Sequence, residues 1–147
     1  IKTIKTLGEL TIDEFYEVRG AICDEVLERR AMHAVTENQR TIQAVAALQK
    51  NDMETFGALM SKSHVSLRDN YEVTGKELDT LVEVAWEQEG VLGSRMTGAG
   101  FGGCTVTLVK KDAVQAFIQK TGTAYEKAIG YPADFYSVEI GDGPRKV

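Results

Sequence analysis

The residues best suited to chemistry in this sequence are a cluster of glycines. Residues 96–104 read MTGAGFGGC, and four of these nine residues are glycine. Glycine has no Cβ, so it adopts positive φ angles readily and lets a second backbone or a phosphate group approach closely. The stretch therefore suggests phosphate binding or close backbone contact, and composition leaves a flexible hairpin connection open as the alternative.

The spacing of these glycines does not fit the common phosphate-binding motifs. Gly98, Gly100 and Gly103 match G-x-G-x-x-G, but the dinucleotide motif needs a helix directly after the loop, and a strand pattern follows at Cys104. A protein-kinase glycine loop does join two strands, yet the sequence has no V-A-I-K, H-R-D or D-F-G element. A Walker loop is excluded because no glycine precedes a Lys-Ser or Lys-Thr pair.

Other reactive side chains do not form a recognisable site. Ser63, His64 and Asp69 supply the residue types of a hydrolase triad, but a triad is defined by the roles of its members in space, so we reject this interpretation. His64 lies on the apolar stripe of its helix, which predicts a hydrogen-bonded core histidine. His33 and His64 have no cysteine or carboxylate partners at ligand spacing, so we expect no metal site.

The composition excludes several classes of protein. The 147 residues are 43% hydrophobic and fit one domain, residues 1–147. The net charge of −5 comes from well-mixed signs, so the basic patch of a nucleic-acid-binding protein is absent. We expect neither a membrane-spanning segment nor a signal peptide, and Cys23 and Cys104 do not suggest a disulfide framework. We therefore expect a cytoplasmic protein.

Hydrophobic periodicity predicts a helical first half. The predicted helices cover about 12–20, 24–50 and 53–69, and a fourth follows residue 75. Capping boxes are predicted at Thr11–Glu14 and at Thr74–Glu77. Asn38 on the second helix is expected to hydrogen-bond to neighbouring backbone. The stripe that this helix is expected to bury consists of Leu27, Ala31, Ala34, Val35, Ile42, Val45 and Leu48.

The pattern changes to strands after Gly90. Residues 91–96 and 104–109 have period-two character and are predicted to be strands joined by the glycines. Asp112 is expected to cap a helix that ends at Gly130, and residues 135–140 are predicted to form a last strand. The order strand, strand, helix, strand favours an α+β fold in which an antiparallel sheet packs against helices.

One long segment resembles a known family. Residues 93–104, GSRMTGAGFGGC, are similar to the third, C-terminal signature of the galactokinases, which belong to the GHMP small-molecule kinase superfamily. The resemblance extends to Arg29-Arg30 with VTEN at 35–38, to MSKSHVSLRDNY at 60–71, and to GDG at 141–143. It therefore covers nearly the whole chain.

The resemblance implies a fold and a reaction. The fold would be the ferredoxin-like C-terminal domain of a two-lobed kinase, and the reaction would move the γ-phosphate of ATP, with Mg²⁺, to the C1 hydroxyl of D-galactose. The N-terminal lobe, absent from this chain, would supply the phosphate-cradling loop, the catalytic residues and most sugar contacts. We therefore expect no catalytic residue in this chain, no cofactor bound to it alone, and no activity of the fragment.

The resemblance also implies which residues line the site. The glycine-rich loop is expected to line the cleft between the lobes and to support the phosphate loop of the N-terminal lobe of the same polypeptide. Arg95 is expected to contact a phosphate or to form an ordinary salt bridge. The fragment is expected to self-associate through its exposed interlobe surface. Two alternatives stay open, a galactokinase-like sugar and ATP sensor and a GHMP kinase for another sugar. The loop residues are Thr97, Gly98, Ala99, Gly100, Phe101, Gly102 and Gly103.

Overall fold

Five helices and two strands make up the computed structural model, which describes residues 3–139, 141 and 143. Short 3₁₀ turns precede or follow several of these elements. The predicted order of elements is confirmed up to the end of the last helix. The elements are α1 (Ile12–Val18), α2 (Glu25–Gln49), α3 (Met53–Ser66), α4 (Lys76–Trp86), β1 (Val91–Thr97), β2 (Cys104–Val109) and α5 (Val114–Ile129).

Side chains cap the first three helices. The predicted box at Thr11 is confirmed, since the Glu14 amide donates to Thr11 Oγ1 at 3.1 Å and the Thr11 amide donates to Glu14 Oε2 at 2.9 Å. Asp24 accepts from the amide of Leu27 at 2.9 Å at the start of α2. The chain thus fixes the entry point of each of these helices locally. Asp52 caps α3 in the same way.

Two predicted caps are wrong. α4 begins after Gly75, which has φ 104°, and no side chain caps it. Thr74 is buried, and the Glu77 carboxylate accepts instead from the Tyr131 hydroxyl at 3.5 Å. Asp112 lies inside a 3₁₀ turn, Lys111–Ala113, so the capping position of α5 passes to the next residue. In both cases the backbone conformation just before the helix differs from the one that the capping pattern requires, and the local sequence does not indicate this difference.

The sheet is a two-stranded antiparallel ribbon in which Arg95 pairs with Val106. α3 lies directly against β1 at Gly57 and Gly93. A Cβ on either glycine would overlap the backbone of the other segment, so this close approach depends on both glycines. The crossing brings the end of α3 alongside the residues of β1 that lead into the glycine-rich loop.

The predicted last strand is not formed over residues 135–139, and Ile140 lies outside the described residues. Phe135 packs on α5, with its ring centroid 6.1 Å from that of Phe117, and Gly122 leaves space for it. Tyr136 and Val138 are 83% and 82% exposed. An alternating pattern supplies β-propensity, but a strand needs a neighbour, and among the described residues none lies along the outer edge of β2.

The core has two clusters, one around Phe15 between α1 and α2, and one in which Met96 of β1 packs with Leu67, just after α3, and with Leu78 of α4. The predicted buried stripe of α2 is therefore only partly right. Ala31 and Val35 are buried against Phe15. The remaining apolar stripe has nothing packed over it within the described part of the chain. Its exposed members are Leu27, Ile42, Val45 and Leu48.

Candidate functional site: the glycine-rich loop

The glycine-rich loop, residues 97–103, joins β1 to β2 and has an unusual backbone. Five of its seven residues have positive φ, and only glycine adopts such angles without strain. The glycine content is therefore required by the path of the chain. The residues and angles are Gly98 (82°), Gly100 (84°), Phe101 (57°), Gly102 (99°) and Gly103 (106°).

The middle of the loop is fixed to the segment before α4. The Phe101 amide donates to the carbonyl oxygen of Val73 at 2.8 Å. Gly100 lies against the same carbonyl, and a Cβ at this position would overlap it. By contrast, a Cβ at Gly98 would meet no atom within 4 Å. Gly100 is thus required for close approach as well as for its φ angle.

Phe101 combines backbone strain with exposure. It is the one loop residue other than glycine with positive φ, a conformation that costs about 1–2 kcal/mol for a residue with a Cβ. Its side chain is 78% exposed. Strained residues that persist on a surface are concentrated at binding and catalytic sites. Phe101 is therefore a strained residue whose side chain is accessible to a partner.

Arg95, two residues before the loop, lies in an ion-pair cluster. Its Nε donates to the Met96 carbonyl at 3.0 Å, and its Nη1 lies 3.4 Å from Glu37 Oε1. Glu37 also pairs with Arg40 at 2.7 Å and accepts from the Ser63 hydroxyl. The salt bridge that was one of the two expectations for Arg95 is therefore present, and contact with a phosphate stays a prediction.

The electrostatics of the cluster keep Glu37 ionised. Burial by itself would raise the pKa of Glu37, but hydrogen bonds from Ser63 and Arg40 and the charges of Arg40 and Arg95 outweigh it and hold that pKa below its usual value. The half-buried carboxylate thus neutralises one of two neighbouring guanidinium groups. Glu37 and Arg40 lie three residues apart on one helix, and this spacing is the sequence signal by which their pairing could have been predicted.

The residue types of a triad are engaged with other partners. Ser63 is bonded to Glu37, and Asp69 pairs with Arg68 at 2.8 Å. His64 is fully buried and accepts a hydrogen bond from the Met96 amide at 3.1 Å, which confirms the predicted core histidine. Across the described ranges, no three or more His, Cys, Asp or Glu side chains are close enough to hold a metal ion.

Two contributors to the site were missed from the sequence. Val73 acts through its carbonyl oxygen, which carries no side-chain signal. The turn Leu67–Tyr71 after α3 is a π-helix where a continued α-helix was predicted. Such turns are frequent at functional sites, and in this one the Asn70 carbonyl accepts from Arg30.

Comparison with known proteins identifies the family. The model of the GHMP kinases C-terminal family matches residues 44–127, which include α3, α4, both strands and the glycine-rich loop. The chain belongs to the GHMP kinase family. The matched range contains the whole loop together with Val73, to which the middle of the loop is bonded.

Three proteins that are similar to this GHMP kinase domain are all named galactokinase. The chain is 57% identical over 147 residues to a galactokinase from Clostridium beijerinckii and 60% identical over 144 residues to one from Levilactobacillus brevis. A crystal structure of Lactococcus lactis galactokinase complexed with galactose matches with a TM-score of 0.94 and 52% identity over 99% of the chain. The chain spans 37–38% of the length of these proteins.

The comparisons and the structure both identify a GHMP C-terminal domain. The expected α+β architecture, with a helical first part, two antiparallel strands and a following helix, is that of the GHMP C-terminal domain. Within the described residues, no helix combines the length and the apolar character needed to cross a membrane. Cys23 and Cys104 are both free and exposed.

Proposed function

We propose that this chain is the C-terminal lobe of a galactokinase, which transfers the γ-phosphate of ATP to the C1 hydroxyl of D-galactose. The observation that carries the proposal is the fixed, strained glycine-rich loop in a domain whose matched relatives are galactokinases along the whole chain. The galactose in the matched Lactococcus lactis structure supports the choice of sugar.

The loop acts by positioning. Phosphoryl transfer requires alignment and charge stabilisation more than covalent chemistry by the protein, so two lobes must meet closely around the phosphates. A loop with four glycines brings main-chain amides against a partner loop without side chains in between. The fixed contact between Phe101 and Val73 keeps that surface in one conformation. Arg95 is a candidate cleft or phosphate contact.

ATP and Mg²⁺ belong to the whole enzyme. The metal ion would offset the negative charge that develops on the phosphates during transfer. Among the described residues, no three or more His, Cys, Asp or Glu side chains are grouped so that they could hold an ion. The proposed division of labour leaves catalytic residues and metal ligands to the other lobe, and the 147-residue chain alone is inactive.

The exposed part of α2 is the proposed surface for the other lobe. Ile42, Val45 and Leu48 are 56%, 51% and 46% exposed, which is unusual for large apolar side chains on one stripe. Contiguous exposed apolar residues mark interaction sites on soluble proteins. In the isolated chain the same surface drives self-association. The cytoplasm is the proposed location of the whole enzyme.

A mass-spectrometric assay of the full-length parent protein tests the proposed function. The protein is incubated with ATP, Mg²⁺ and a panel of sugars, and the products are identified by mass and fragmentation. Phosphate on galactose at C1 is the expected result. Phosphate on another sugar would mean that this sugar, and not galactose, is the substrate. Galactose binding without product would favour a sensor. Absence of both binding and product would overturn the proposal.

A further inference from the structure

Side chains of α3 take the place of a third strand along the outer edge of β1. The Ser94 amide donates to Ser61 Oγ at 3.4 Å, and the Met96 amide donates to His64 Nδ1 at 3.1 Å. Amides two residues apart on a strand point to the same edge, and residues three apart on a helix lie on the same face. Side chains of α3 therefore hydrogen-bond to the outer edge of β1 as far as Met96, the last residue before the glycine-rich loop.

His64 is the more constrained of these two contacts. Its side chain is fully buried, and Nδ1 accepts from Met96, so the neutral ring carries its proton on Nε2. Nε2 lies 3.2 Å from Asp79 Oδ1 on α4. This is a polar contact outside hydrogen-bond geometry, and neither atom has a hydrogen-bond partner among the described residues. Asp79 therefore favours the tautomer that can hold Met96, and the Trp86 ring packs edge-on at 5.7 Å.

The glycine-rich loop is thus tied to one region at two points. Met96, directly before the loop, is connected through His64 to Asp79. Phe101, within the loop, is bonded to Val73. Val73 and Asp79 lie on either side of the start of α4. The start and the middle of the loop are therefore both attached to residues near the N-terminus of α4. Loss of either contact would free one part of the loop.

We propose that His64 is a positioning residue for the glycine-rich loop. It holds the Met96 amide, Asp79 orients its ring, and the pair fixes where the loop leaves the sheet. His64 acts through main chain and touches no reacting group. The effect on turnover rests on the proposed function, whereas the effect on the order of the loop does not.

Hydrogen–deuterium exchange of the full-length polypeptide, measured by mass spectrometry, tests this proposal. His64→Leu removes the acceptor of Met96 and keeps an apolar side chain in the core. The peptide that contains residues 96–103 is expected to exchange about tenfold faster than in the unmodified protein. In the same preparations, kcat for sugar phosphorylation is expected to fall about tenfold while KM for the sugar stays near its original value.

His33→Leu is the matched control. His33 is also a buried histidine, but its contacts are with Ser66 Oγ, at 3.0 Å, and with the Tyr71 ring, neither of which belongs to the loop. It is expected to lower stability and leave exchange of the loop unchanged. His64→Asn keeps an amide oxygen close to the position of Nδ1 and is expected to restore part of both the protection and the turnover.

The outcomes separate the two proposals. Unchanged loop exchange in His64→Leu, or equal loosening in His33→Leu, overturns the role of His64. If the parent shows no sugar kinase activity, the proposed function fails, and the exchange comparison still decides the positioning role. If His64→Leu does not fold, His64→Asn and Asp79→Ala carry the comparison: loop exchange faster than in the unmodified protein is expected in both, and unchanged loop exchange in both overturns the role of His64.

Discussion

The amide of Phe101 donates a hydrogen bond of 2.8 Å to the carbonyl oxygen of Val73, and this bond joins the middle of the glycine-rich loop to the segment that starts α4. Gly100 lies against the same carbonyl with no space for a Cβ. The conformation of the loop is therefore set by a backbone contact outside the sheet. Substitutions at neighbouring glycines should differ in effect according to their distance from Val73.

Gly100→Val in the full-length protein is expected to lower turnover about a hundredfold, because displacement of a positioning element by about 1 Å can have an effect of that size. The melting temperature should change much less, since the loop contributes little to the core. Steady-state kinetics and thermal denaturation of the same preparations measure both quantities. Comparable activity in the variant and the parent would contradict the assigned role of the loop.

Gly98→Ala and Gly100→Ala form a matched pair for the same question. The φ angles are 82° and 84°, so the conformational cost of about 1 kcal/mol is shared. Only Gly100 faces the Val73 carbonyl. A larger loss of activity in Gly100→Ala is therefore expected, and equal losses would show that φ alone matters.

Phe101→Ala is expected to change the free energy of unfolding by less than about 0.5 kcal/mol, because the side chain is 78% exposed. In the full-length protein the same substitution should lower kcat/KM, since Phe101 belongs to the loop that is proposed to line the cleft between the lobes. Chemical denaturation and steady-state kinetics check the two parts. Tyr16→Ala, at a half-exposed aromatic residue on α1, is the control and should leave kcat/KM unchanged.

Stability is expected to fall as the pH drops below about 6.5, the value at which an unfolded histidine titrates. Burial lowers the pKa of His64; Asp79 opposes this effect, and Arg68 and Arg95 add to it. A lowered folded pKa means that the unfolded state binds the proton first. The contribution is therefore complete above that pH and is lost as the pH falls toward the folded pKa.

His33 contributes with the same sign. Burial lowers its pKa; the Glu37 carboxylate opposes the shift, and Arg40 and Arg95 add to it. Urea denaturation between about pH 7.5 and pH 5.5, a window that brackets the unfolded histidine pKa, is expected to show a smaller pH dependence of stability in His33→Leu than in the parent chain. A pH dependence that does not change in either histidine variant would exclude these side chains as its source.

The isolated 147-residue chain is expected to form dimers or larger species, because the apolar stripe on α2 is exposed. Val45→Lys places a charge in the middle of that stripe, at a position that is 51% exposed, and should shift the chain toward monomer. Sedimentation velocity over a concentration series measures the change. Val26→Lys, at a 47% exposed position near the other end of α2, is the control and should leave association as it is.

The sequence correctly predicted the features that depend on residues close together in the chain. The helix starts at Thr11, Asp24 and Asp52 were correct because each depends on a side chain and an amide three residues apart. The strands around the glycine-rich loop were correct because residues rich in threonine and valine suit a pleated surface. The glycines themselves indicated positive φ angles, which the structure contains.

Errors occurred where the outcome depends on distant segments. Residues 135–139 alternate as a strand does, but Phe135 packs on α5 and no strand lies beside it in the part described. Ile42 and Val45 continue the apolar periodicity of α2, yet nothing described covers them. The hydrogen bond between Phe101 and Val73 is made by main-chain atoms, so no side-chain type in the sequence indicates it.

The two edges of the sheet differ in a way that matters for handling the isolated domain. β1 is shielded by α3, whereas the outer edge of β2 has no neighbouring strand among the described residues. β2 reads CTVTLV, an uncharged run without proline and rich in β-branched residues, which is the composition of amyloid-forming segments. When this domain is produced alone, we expect the outer edge of β2 to be a second surface, in addition to the stripe on α2, at which chains associate, and a charged substitution there would act as a gatekeeper.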